Sequence, residues 1–170
     1  KIAHKVQQNR IPLIGEGNHL IIIIFIIVFS IFGAAFGMSE ETIAFIVLFV
    51  PVFIALGYDS IVAVSVVFVG ATIGFIGGVT NPFTVGIAQS IAGIPIFSGI
   101  EYRIFLWFLF TIIGIIFVLR YAKKVYKNPR LSLVYDSDEY WRNITVKDEE
   151  IISERADWRG WLTWILINLF

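Results

Sequence analysis

The segment Gly77-Gly78-Val79-Thr80-Asn81-Pro82, followed by Phe83-Thr84, carries the residue types in this chain best able to do chemistry. Two glycines raise the cost of helix there, and the proline removes a backbone donor and turns Asn81 away from helical angles. Carbonyls released around Gly77, Gly78 and Val79 are hard oxygen ligands, and Thr80, Asn81 and Thr84 add two hydroxyls and a carboxamide. A small cation such as Na+ would sit on Gly78, Thr80 and Asn81. On the other side of Pro82, the amides from Phe83 onward present the positive end of a helix dipole, which suits a carboxylate. Secondary transporters use unwound helices in this double way.

The element holding this segment is unusual. From Ser60 to Ile100 there is no Asp, Glu, Lys, Arg or His, a run of 41 residues. A straight helix of that length would reach roughly 60 Å, about twice the hydrocarbon core of a bilayer. It must break, and Gly77 to Pro82 is where the sequence breaks it. The whole chain of 170 residues is 58% hydrophobic and 15% charged, with a mean hydropathy of +0.84. Soluble domains run at about 45–50% apolar and about 25% charged, so a soluble globule is excluded. The expected fold class is an all-α integral membrane protein, a multi-span helical bundle with one discontinuous helix.

Hydropathy and charge divide the chain into parts. Residues 1–19 form a cytoplasmic segment and residues 20–122 a transmembrane region. Its spans lie at about 20–38, 42–58, 61–94 (broken at 77–82) and 104–121, with Pro51 kinking the second. Residues 123–159 form a hydrated cytoplasmic linker, in which residues 131–159 carry eight acids against four bases. Residues 160–170 read as the truncated start of a further span, and the start at Lys1 also suggests a piece of a larger protein. Lys1, Lys5 and Arg10 before the first span, and Arg120, Lys123, Lys124, Lys127 and Arg130 after the fourth, place both ends in the cytoplasm. Arg103 and Arg120 bracket the fourth span, their stems reaching toward the interfaces.

Other polar residues have structural explanations beside functional ones. Gly70 and Gly74 recur at the spacing of closely packed membrane helices. Asn81 is a favoured helix cap, which is compatible with binding. Gln89, deep in the uncharged run, can bind a ligand or bond a neighbouring helix. Glu40 and Glu41 are first-turn acids of the second span, or an acidic pair for a cation if their turn dips into the protein. Asp59 is a dipole partner of the third element and a second-rank ligand candidate. His19 reads as interfacial and His4 as solvated.

With no cysteine, a thiolate site and an iron–sulfur centre are excluded, and two histidines leave little for a histidine metal cluster. No phosphate-binding loop and no nucleophile elbow occurs, so neither ATP-driven pumping nor hydrolysis is expected and the chain is not read as an enzyme. No cofactor is expected beyond a coupling ion, Na+ or H+. The 13 basic and 13 acidic residues cancel, which disfavours nucleic acid; the partners are a small-molecule substrate and the lipid bilayer, and a homo-oligomer is compatible with the reading.

Several strings resemble a known family: Phe36-Gly37-Met38-Ser39-Glu40-Glu41, Leu56-Gly57-Tyr58-Asp59-Ser60, and Asn81-Pro82-Phe83-Thr84-Val85-Gly86-Ile87-Ala88-Gln89. Further on, Tyr121-Ala122-Lys123-Lys124-Val125 and Ser132-Leu133-Val134-Tyr135-Asp136 add to them. Together they are similar to the YfcC branch of the DcuC-type C4-dicarboxylate carriers, within the wider ion transporter superfamily. The resemblance covers about Arg10 to Arg142. It implies an inverted-repeat carrier of about a dozen spans, with Gly77 to Thr84 forming half of a midplane site and the other half lying elsewhere. Members are described as dicarboxylate carriers or as basic amino-acid antiporters, which leaves the substrate open.

The expectation is an ion-coupled secondary transporter, symporter or antiporter, of the bacterial inner membrane. It would move a small carboxylate-bearing metabolite, an amino acid or a C4-dicarboxylate, by alternating access. The absence of Arg or Lys from the broken stretch departs from the simplest dicarboxylate site, and Glu40 and Glu41 tilt the reading slightly toward an amino acid or cationic substrate. A passive channel and a non-transporting membrane anchor or assembly subunit are the competing classes.

Overall fold

The computed structural model describes residues 19–143. Lys1, His4, Lys5 and Arg10, the distal linker from 144 to 159 and the apolar start at 160–170 lie outside the described residues. Among the described residues the chain is all-helical and has no strand. Helix α1 is Leu20–Phe36, α2 is Thr42–Ala55 and α3 is Ser60–Val64. A π-helical turn, Ser65–Val69, joins α3 to α4, Gly70–Gly77; a second, Pro82–Gly86, leads into α5, Ile87–Ala92. Helix α6, Ile100–Lys127, is followed by the 3-10 turn Pro129–Leu131.

Local chemistry sets these boundaries. Gly37, at φ 71°, ends α1 in the left-handed conformation that costs glycine nothing, and its N–H bonds the Gly33 carbonyl. Asp59 starts α3 by accepting the Val62 amide at 2.9 Å. Winding stops after Gly77, where Gly78 takes φ 49°, and resumes at Pro82 under an Asn81 cap.

Apolar length separates the helices. Ser60–Ala92, taken through its interruption, and Ile100–Lys127 are long and apolar enough to cross a bilayer. With 17 and 14 residues, α1 and α2 reach only roughly 25 and 21 Å against a core of about 30 Å. The 28 residues of α6 extend beyond the expected 104–121 at both ends. Its outer face leaves Phe105, Phe108 and Phe117 exposed, the last at 70%, which is untenable in water over so large a patch and natural against lipid or further apolar helices.

Small residues bring the helices together. A Cβ at Gly33 would overlap the Ala71 carbonyl oxygen, and one at Gly74 would overlap that of Ser30, so α1 and α4 meet backbone to backbone. At Gly70 an added Cβ would come within 3.0 Å of Phe29 Cβ, which gives both glycines a packing role. Phe25 meets Phe49 edge-on at 4.7 Å between ring centroids, and Phe29 meets Phe45 at 5.4 Å, seating α2 on α1. Val118 and Ala122 of α6 complete a core with Ile22, Ile26, Phe53, Val62 and Val66.

The two ends of this stack differ. At one end His19 accepts from or donates to Tyr58 at 2.8 Å, and the rings of both lie within 6 Å of Tyr126, so the starts of α1 and α3 meet the end of α6. Burial first, and then the Lys123 charge, hold the His19 pKa below its ordinary value. The described start of the expected linker, largely exposed, is anchored here by two hydrogen bonds. Ser132 donates to Asp59, and Asp138 accepts the Ser60 amide at 2.9 Å. The reason is that Ser60 carries one of the amides a helix start leaves without a partner.

Candidate functional site

At the other end lies the unwound stretch, residues 78–81. Counted from Ser60 along 18 helical residues it is roughly 27 Å away, at the far end of the stack rather than halfway along. Thr80 fastens it to the end of α1: its N–H bonds the Ala34 carbonyl at 3.1 Å and its hydroxyl approaches that of Ala35 at 3.5 Å. Those carbonyls are among the acceptors a helix end leaves free.

Asn81 is fully buried, at 0% exposure. Its Oδ1 accepts the amides of Phe83 at 3.0 Å and Thr84 at 3.3 Å. Two amide donors on one atom fix which end of the carboxamide is oxygen, so Nδ2 points the opposite way. It has no hydrogen-bond partner. The side chain lies against Gly37, where an added Cβ would come within 2.6 Å of Oδ1 and 2.8 Å of Nδ2. Sequence reasoning included Gly37 only as part of a family string; its positive φ and this close approach explain why glycine stands there.

The amides expected to greet a carboxylate beyond Pro82 are therefore taken by Asn81 itself. Of the remaining expected residues, Gly77 makes room for Trp107, whose Cβ would lie 2.8 Å from a Cβ placed there. Gly78 provides the left-handed turn, and Thr84 contributes its amide to the cap. Pro82 occupies the first turn of the resumed winding, where its missing donor costs nothing. Gln89 is occupied: its amide nitrogen donates to Ser98 O at 3.0 Å, and its oxygen accepts from Phe97 N, holding that residue at φ 65°. Its carboxamide serves the loop before α6.

Glu40 and Glu41 are both exposed on the turn before α2. Hydrogen bonds from its own amide and then from Ser39 hold the Glu41 carboxyl below its ordinary pKa. The turn does not carry the pair into the protein. Beside it a cavity of 210 Å³ opens between Met38, Ser39 and Thr42 on one side and Phe68, Thr72 and Phe75 on the other. Asp59 lies at the opposite end of the stack, closed in by Val62, Tyr121 and Ser132.

Arg103 is the residue that sequence reasoning placed elsewhere. Instead of reaching for an interface, its Nε bonds the Val79 carbonyl at 3.4 Å and Nη1 bonds the Ser98 carbonyl at 2.8 Å. Its Nη2 is buried without a partner, and so is Trp107 Nε1 one turn further along α6. A guanidinium thus stands at a stretch that contains no charge of its own. The Na+ expectation at Gly78, Thr80 and Asn81 meets a donor-rich setting, with the Val79 carbonyl bonded to a cation already. Among the described residues no cluster of His, Cys, Asp or Glu could hold a metal ion.

Described residues that are all helical, with two apolar segments of membrane length and a polar interruption inside the first, have the makeup of a membrane transport protein. Residues 12–168 match the family model of the C4-dicarboxylate anaerobic carrier, DcuC, and the chain belongs to that family. It is 41% identical over 154 residues to an Escherichia coli protein named "Putative basic amino acid antiporter YfcC", covering 90% of this chain and 30% of that protein. It is also 37% identical over 134 residues to an uncharacterised Haemophilus influenzae protein, covering 78% of this chain and 26% of that one. The chain therefore spans less than a third of the length of these relatives. No solved structure matches it. The family is one of carriers rather than enzymes, and with the apolar helices it marks a membrane protein.

Proposed function

We propose that the chain is part of an ion-coupled secondary active transporter, a multi-pass protein of the bacterial inner membrane. It moves a small carboxylate-bearing metabolite by alternating access, as symporter or antiporter. The observation that carries this reading is Asn81: fully buried in an unwound stretch, with one end of its amide used as a cap and the other without an acceptor among the described residues. A buried polar group without a partner costs about 1–3 kcal/mol, and a site that a ligand completes is a reason to bear that cost.

Family and relatives support the same class. The family model names dicarboxylates and the E. coli relative's name a basic amino acid; both bear a carboxylate. In this reading residues 60–92 form the discontinuous helix of one inverted repeat, and the other repeat supplies the rest of the site. Sodium or a proton drives the cycle. Glu40 and Glu41 are exposed among the described residues, so the reading rests on Asn81 and not on that pair.

The test is uptake by the full-length protein in proteoliposomes, with succinate and lysine as probes and imposed Na+ or proton gradients. The parent accumulates one of them saturably, and Asn81→Ala reduces that uptake at least tenfold while the protein stays folded. Flux that never saturates and never accumulates would identify a channel, and equal uptake by Asn81→Ala would remove the site.

A further inference from the structure

Among the described residues, three side-chain nitrogens are buried without a hydrogen-bond partner: Asn81 Nδ2, Arg103 Nη2 and Trp107 Nε1. All three are donors, and all three belong to residues that border one short stretch of chain. Asn81 lies in it, Arg103 bonds its Val79 carbonyl, and Trp107 packs against Gly77 at its edge. Arg103 and Trp107 are four residues apart on α6 and so share one face of that helix. Buried donors are almost always satisfied, so three together, with no orphaned acceptor among them, describe a missing acceptor.

We propose that these nitrogens form a carboxylate subsite, with Arg103 as the residue that makes it select charge. The inference rests on the carrier reading above and adds to it a residue from outside the unwound stretch. An ionised carboxylate accepts and never donates, and its two oxygens can be shared among a guanidinium arm, an indole N–H and an amide. A water molecule supplies two acceptor positions and no charge, which leaves the guanidinium uncompensated. Arg103 is positioned for the task by its other nitrogens: Nε on Val79 and Nη1 on Ser98 aim the third. Ser98 is in turn fixed by Gln89, so Gln89 supports the subsite without touching the ligand.

The experiment measures binding to the full-length protein purified in detergent, read by tryptophan fluorescence. Succinate is compared with succinamide and lysine with lysinamide, so that each carboxylate probe has a counterpart of closely similar shape in which a neutral amide replaces each carboxylate. The parent prefers the carboxylate at least tenfold in the pair it binds. Arg103→Gln reduces that preference to less than threefold, Arg103→Lys retains part of it, and Trp107→Phe removes most of the ligand-dependent fluorescence change. A parent that binds neither carboxylate overturns the proposal. So does an Arg103→Gln protein that weakens both members of a pair equally, because a purely structural Arg103 would do that. Binding with the expected preference but no uptake would remove the carrier reading and keep the subsite; uptake with preference unchanged in Arg103→Gln would do the reverse.

Discussion

The two ends of the helix stack use buried polar groups in opposite ways. At the end where α3 begins, Asp59 is 3% exposed and its carboxylate accepts from the Val62 amide and the Tyr121 and Ser132 hydroxyls. Asp138, at 2% exposure, takes the Ser60 amide. Two carboxylates thus close one helix start, and the chain after α6 is fastened to it. At the far end Asn81, Arg103 and Trp107 leave three donors unmatched. Among the described residues, no buried side-chain polar atom at the first end lacks a partner, whereas three at the second do. Proteins depart from polar satisfaction mainly at functional sites, so the contrast is what motivates the proposed site at the unwound stretch and a structural role for Asp59.

Breaking the closed end should have the largest effect on stability. Asp59→Ala leaves the Val62 amide and two hydroxyls without their shared acceptor, a loss of about 3 kcal/mol or more from the cap and the charge-assisted bonds together. Thermal unfolding of the full-length protein in detergent should show it as a lower Tm, while the affinity of the folded fraction for its carboxylate probe stays within about twofold. A loss of affinity as large as the loss of stability would erase the distinction between the ends.

A smaller change sharpens the contrast from the other side. Gly37→Ala places a Cβ in a left-handed conformation, φ 71°, and 2.6 Å from Asn81 Oδ1. The backbone strain costs about 1 kcal/mol, so Tm should move modestly. Uptake should fall much further than Tm, because the amide must shift to admit the methyl group. Unchanged uptake would separate Asn81's position from its role.

The smallest effect belongs to the turn between α1 and α2. Glu41 has a carboxyl pKa lowered by amide hydrogen bonds, so its contribution to stability is fully present above its ordinary value of 4.5 and is lost as pH falls through the lower folded value. Glu41→Gln should lower stability slightly at pH 7 and flatten the profile on the acid side, where the carboxylate's contribution is lost anyway. A change in probe preference at neutral pH would return the acidic turn to the candidate site.

Much of this architecture is a local property of the chain. Helix type follows from continuous apolar runs, and the stop near Gly77 and restart at Pro82 follow from glycine freedom, the missing proline N–H and the capping habit of asparagine. The sequence alone determined those features, because each depends on residues a few positions apart. It could not show which donors would be left unpaired. Arg103 meets Val79 across 24 residues, and Tyr121 and Ser132 meet Asp59 across 62 and 73. In sequence Arg103 looks like any interfacial anchor at the end of a span, and Asp59 like an ordinary dipole partner. Only the tertiary structure decided their roles: Gly77 admits Trp107, which sets the start of α6 beside the unwound stretch and carries a charge to it, while the chain after α6 turns back to close the opposite end.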